Sequence, residues 1–173
     1  MFKARPKPRG AQPDAALPTI AAMLAPILAR VPVADQPLLL ALSKRVAAER
    51  CRSWANAEGD AADRALLLGC AQRDDEIARQ IESLRPDAEA AKKRLFGENP
   101  DLLEKDRELF GGRPLREQYA IQANGNRMGA STWQAVAAAS RHQAVRALFL
   151  ACAEHDQESA MVLETLVSRN RML

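Results

Sequence analysis

The chain has little aromatic character: two Trp, one Tyr and four Phe make up 4% of its residues, against 47% hydrophobic residues in all. A core must therefore be built from Leu, Ala, Ile and Val. Histidine is scarcer still, with His142 and His155 alone, so a metal site made from imidazoles has little to draw on. The three cysteines, Cys51, Cys70 and Cys152, show no paired metal spacing. Their odd number argues against a disulfide framework, and buried free thiols are expected. No apolar run approaches the roughly 18 residues of a membrane span. The stretch from Thr19 to Val31 is broken by Pro26 and Arg30, which also speaks against a signal peptide. Phosphate loops, dinucleotide fingerprints and nucleophile motifs are missing as well, and there is no credible strand pair.

An excess of one charge is missing from most of the chain. Lys3, Arg5, Lys7 and Arg9, set against Asp14, account for the whole net charge of +3. The remainder is balanced and offers nucleic acid no basic face. Residues 1–17, with Pro6, Pro8 and Pro13, read as a disordered basic tail. Residues 18–173 are then one domain, long enough for a real core. The expectation is a cytoplasmic protein without a cofactor, whose partner is another protein or a second copy of itself.

What is present is helical patterning, and part of it occurs twice. Leu66-Leu67-Leu68-Gly69-Cys70-Ala71-Gln72-Arg73-Asp74-Asp75-Glu76-Ile77-Ala78 returns as Leu148-Phe149-Leu150-Ala151-Cys152-Ala153-Glu154-His155-Asp156-Gln157-Glu158-Ser159-Ala160. Trp54 and Pro37 precede the first copy, and Trp133 and Pro114 the second. A repeat of this length predicts two copies of a helical hairpin. Helical spacing puts Leu67, Cys70, Asp74, Ile77, Ile81 and Leu84 on one seam, and Phe149, Cys152, Asp156, Ser159, Leu163 and Leu166 on the other. Each seam carries one aspartate at the same place. A carboxylate on a core stripe costs several kcal/mol unless it is paired, protonated or bound to a cation.

Helices are predicted from Pro37 to about Glu58, from Ala61 to Leu84, from Pro114 to Ser140 and from Gln143 to Arg169. Asp60 is the expected cap of the second. The third is ambiguous, because Asn124-Gly125-Asn126 and Gly129 are poor helix formers. It either runs through or breaks and restarts near Met128. Residues 86–113 hold two shorter patterns, Asp87–Phe96 and Pro100–Phe110, in a connection long enough to cross a bundle end to end, with Phe96 and Phe110 pinning it to the core. Ile20, Met23, Leu24, Ile27, Leu28 and Val31 form an amphipathic strap, with Pro26 expected to kink or split it. Packing on the body is the favoured role for this strap, a dimer contact the other.

The frame alanine, two residues, acid, two residues, then a position before alanine resembles the metal-binding helices of the ferritin-like superfamily, of the rubrerythrin type. That resemblance implies an all-α, antiparallel four-helix bundle built from two repeated hairpins with a long crossover, with carboxylates and Glu-x-x-His motifs facing inward. Here the histidine positions hold Ile77 and Ser159, and the acids are the shorter Asp74 and Asp156. The helix before the first copy offers Glu49, and the helix before the second offers Gln122 and Asn126. The expectation is a non-catalytic bundle, used for binding or assembly, whose di-metal site is lost. The alternative is an enzyme, with or without a metal, using a polar inter-helix pocket. Its candidate residues are Asp74, Asp156, Glu49, Tyr119, Gln122, Asn126 and His155.

Overall fold

The computed structural model describes residues 16–169. The expected basic tail therefore lies outside the described residues but for Ala16 and Leu17. Among the described residues there are seven helices and no strand: α1 (Ile20–Leu28), α2 (Gln36–Ala57), α3 (Ala61–Glu82), α4 (Ala88–Glu98), α5 (Leu102–Phe110), α6 (Leu115–Ala139) and α7 (Gln143–Arg169). No helix is long and apolar enough to cross a membrane.

Local chemistry sets the element ends. Asp60 accepts hydrogen bonds from the amides of Ala62 and Asp63, both at 2.9 Å, and so satisfies two free donors at the start of α3. Pro37 lies in the first turn of α2, where its missing N–H costs nothing. Asp35 precedes it but does not cap it. Its carboxylate instead takes Arg85 at 3.0 Å and Arg94 at 2.8 Å. Short turns join α2 to α3 and α6 to α7. Each pair packs along its length, and the pairs meet where α3 lies on α7.

Two apolar clusters fill the space between these long helices. One contains Cys51, Trp54, Leu67, Cys70, Tyr119, Leu163 and Leu166. The other contains Ala41, Ile77, Ile81, Trp133, Phe149 and Cys152. The order of these residues fixes the helix directions. α2 and α7 run from the second cluster to the first, α3 and α6 from the first to the second. Since α3 and α6 point the same way, the chain between them must travel the length of the molecule, and α4 and α5 do this. Phe110 enters the first cluster as expected. Phe96 does not pin the connection: it is 36% exposed, and Leu95 at 1% takes its place. The buried face of α4 is Ala88, Ala91 and Leu95, and Phe96 lies one residue round the helix from it. Likewise Leu84 falls beyond the end of α3 and is half exposed, not part of its seam.

The ambiguous third helix is continuous, from Leu115 to Ala139. Its glycines are there for space. A methyl group at Gly125 would run into Ile20 of α1, and one at Gly129 would run into Oδ2 of Asp156. α1 remains a single helix with Pro26 two residues from its end, and it packs on α5 and α6. The packing role expected of this strap is therefore the one observed.

Candidate functional site: a lysine between two buried aspartates

Between the two apolar clusters lies one polar layer, and each long helix contributes one residue to it. These are Lys44 from α2, Asp74 from α3, Asn126 from α6 and Asp156 from α7, all buried. Lys44 Nζ donates to Asp74 Oδ1 at 3.2 Å, to Asn126 Oδ1 at 3.1 Å, and to Asp156 Oδ1. All three ammonium hydrogens are thereby used. Asp156 accepts a second bond at Oδ2 from the indole nitrogen of Trp133, at 2.9 Å. Gln122 Nε2 donates to Asn126 Oδ1 at 2.9 Å, and Arg50 donates to Gln122 Oε1. Because Lys44 can only donate, the orientation of the Asn126 amide is fixed. Its nitrogen is left without a partner, as is Oδ2 of Asp74.

Of the candidate residues, Asp74, Asp156, Gln122 and Asn126 are brought together. The other three stand apart. Glu49 faces solvent and pairs with Arg52, because it lies off the inward stripe of α2. Tyr119 is buried among apolar groups, with its ring T-shaped to that of Trp54 at 4.9 Å between centroids and its hydroxyl unpaired. His155 is only half buried, one residue round the helix from Asp156. The candidate set omits three residues of the network, Lys44, Arg50 and Trp133. A signal for Lys44 exists: Ala41, Lys44, Ala48, Cys51 and Ala55 alternate at three and four residues, and all are buried. A lone cation on a stripe of small residues points to the partner the two aspartates require.

Electrostatics agree with the geometry. Burial opposes the charge on Lys44, but the fields of Asp156 and Asp74 outweigh it and raise its pKa. Burial raises both carboxyls, with Lys44 pulling the other way. Asp156 is pushed up to about 6, helped by repulsion from Asp74. One cation cannot neutralise two buried carboxylates, so the pair holds a proton more tightly than isolated acids would. Asp74, with one bonded oxygen and one bare, is the better home for that proton. Asp156, with Lys44 and Trp133 both donating, is the better carboxylate.

A di-metal centre does not fit this donor set. The layer offers two aspartates and one amide, with an ammonium already between them. Ile77 and Ser159, at the positions where the resemblance calls for imidazole, are both fully buried. Ser159 Oγ accepts from Arg73 Nε at 2.9 Å. Among the described residues no group of three or more His, Cys, Asp or Glu is placed to hold a cation.

Beside the polar layer is a cavity of about 180 Å³ between α1, α2, α5 and α6. Its walls are largely apolar, with Ile20, Leu24 and Leu28 from α1, Leu40 and Ala47 from α2 and Trp133 from α6. Lys44, Arg50, Gln122 and Asn126 also border it. Arg50 is held rigidly: its guanidinium carbon lies 3.6 Å from the centre of the Phe110 ring, and it pairs with Asp106 of α5.

Comparison with protein-family models, with curated proteins and with solved structures found no match.

Proposed function

We propose that the protein is a non-catalytic binding protein, a ferritin-like four-helix bundle in which the ammonium of Lys44 stands where such bundles hold metal. The observation that carries this reading is Lys44 Nζ bonded to Asp74, Asn126 and Asp156 at once. The helix directions and the long connection between α3 and α6 support the bundle topology. A protein-borne cation supplies the charge that two inward aspartates need, so the layer can persist as a structural element without a metal.

The test is metal loading. The purified chain is incubated anaerobically with Fe(II), Mn(II) or Zn(II), desalted and analysed for bound metal. Substoichiometric metal is expected in every case. Retention of a full equivalent that Asp74→Asn abolishes would overturn the reading.

One observation favours the alternative, an enzyme using Asp74 and Asp156 in acid–base chemistry: the carboxyl of Asp156 is pushed up to about 6. Against it, both Asp156 oxygens are engaged by Lys44 and Trp133. The cavity is bordered by Lys44 and Asn126, not by either aspartate. A binding role is the better account.

A further inference from the structure

We infer that the cavity beside the polar layer binds a small uncharged molecule with an apolar body and one carbonyl-type acceptor, which hydrogen-bonds to Arg50. The inference rests on the binding role proposed above and specifies its ligand class.

Size comes first. A dry cavity of about 150 Å³ accommodates benzene, so one of about 180 Å³ suits a single ring with a short substituent. Entry is available at the side where Leu103 and Met128, both cavity-lining, are exposed.

Polarity comes next. Arg50 is a fixed donor: Phe110 stacks under it, Gln122 and Asp106 each take one N–H, and its side chain is only 11% exposed. A guanidinium carries five N–H groups. The remaining ones meet no acceptor among the described residues, so Arg50 has donors to spare at the polar end of the cavity. Asn126 adds a second unpaired donor at the same end. Lys44 contributes none, because its three hydrogens are taken. This end therefore asks for an acceptor.

Charge decides which acceptor. Arg50 is neutralised by Asp106, and Lys44 is matched or exceeded by Asp74 and Asp156. No net positive charge is left for a carboxylate or phosphate, and burying an unpaired anion here would be costly. A ketone, ester or amide carbonyl satisfies the donors without that penalty.

Three probes of nearly one shape test this on the full chain at neutral pH, by calorimetry and ligand-observed NMR. They are acetophenone, its isostere α-methylstyrene, which lacks the acceptor, and benzoate, which is charged. Acetophenone is expected to bind saturably at one site, about tenfold tighter than α-methylstyrene, the ratio that one hydrogen bond from a charged donor supports. Benzoate is expected to bind more weakly than acetophenone. Arg50→Met should bring acetophenone down to the level of α-methylstyrene. Should Arg50→Met fail to fold, Ala47→Leu and Ala21→Leu fill the cavity from α2 and α1, and each should abolish binding of both probes. The inference is overturned by no saturable acetophenone binding, by equal affinity for acetophenone and α-methylstyrene, by tighter benzoate binding, or by binding that survives the filled cavity. These outcomes are separable from metal loading, since stoichiometric metal uptake would remove the proposed role of Lys44 whatever the probes do.

Discussion

Asp74 of α3 and Asp156 of α7 both bind the ammonium of Lys44, yet their surroundings make them different groups. Asp156 accepts from Lys44 and Trp133, whereas Asp74 accepts from Lys44 alone and leaves Oδ2 bare. Asp74→Asn replaces a carboxyl whose hold on a proton burial strengthens by an amide of the same shape, and its unfolding free energy in urea should stay within about 1 kcal/mol of the parent. Asp156→Asn removes the carboxylate that faces the buried ammonium and turns an N–H₂ toward Lys44 or Trp133. It should lose about 3–5 kcal/mol. The same residue sets a pH dependence. Its folded pKa of about 6 lies above the ordinary aspartate value of 3.8. The folded state therefore binds the proton more tightly than the unfolded chain does. This contribution is fully present below about pH 3.8 and is lost as pH rises through about 6, an effect on the order of 3 kcal/mol for this buried group. Denaturation measured between pH 4 and 7 should show the parent losing stability relative to Asp156→Asn as pH increases. A flat difference between the two would mean that Asp156 does not titrate in that window.

At the scale of the helix, α6 shows how composition can mislead. Asn124, Gly125, Asn126 and Gly129 are unfavourable in an isolated helix by up to about 1 kcal/mol each relative to alanine. The helix is continuous because tertiary contacts require three of those residues: Gly125 seats α1, Gly129 leaves room for Asp156, and Asn126 accepts from Lys44. Two glycine-to-alanine changes separate intrinsic preference from packing. A methyl group added at Gly97 in α4 would have nothing within 4 Å of it, so Gly97→Ala should gain up to about 1 kcal/mol. Gly129→Ala adds the same methyl against a fully buried carboxylate that is held from two sides. It should lose about 1–3 kcal/mol despite the better propensity. Thermal melts of the two variants should therefore move in opposite directions. α4 carries a related lesson, since a bulky Phe96 next to Leu95 invites the expectation of a core anchor. The face is decided by the Ala88, Ala91 and Leu95 spacing and not by side-chain size.

At the scale of the molecule, the four long helices enclose two apolar clusters with a charged layer between them, and a third cluster joins α1, α4 and α5 to the outer side of α2. Lys44→Met alone leaves two buried carboxyls without their cation and should cost about 3–5 kcal/mol. Lys44→Met combined with Asp74→Leu and Asp156→Leu replaces the layer by apolar groups of similar shape and should recover at least half of that loss in the same urea titration. Failure to recover would show that the layer contributes stability beyond the mutual compensation of its charges. Much of this plan is legible in the sequence. The all-helical class, the ends of the long helices and the inward aspartates all follow from periodicity and caps. Lys44 does not stand out, because a single lysine among arginines and alanines reads as a solvated face unless its stripe is traced to Cys51 and Ala55. Glu49, Tyr119 and His155 are drawn toward the site by residue type, and their angular positions on the helices keep them out of it. The enclosure of Lys44 has a consequence for chemical labelling. Its amine is protonated, hydrogen-bonded three times and shielded by neighbouring helices, so acylating reagents that modify exposed lysines within minutes should leave it untouched. Mass-spectrometric appearance of the adduct at this one amine would then clock opening of the layer that holds it, and would do so without any introduced probe.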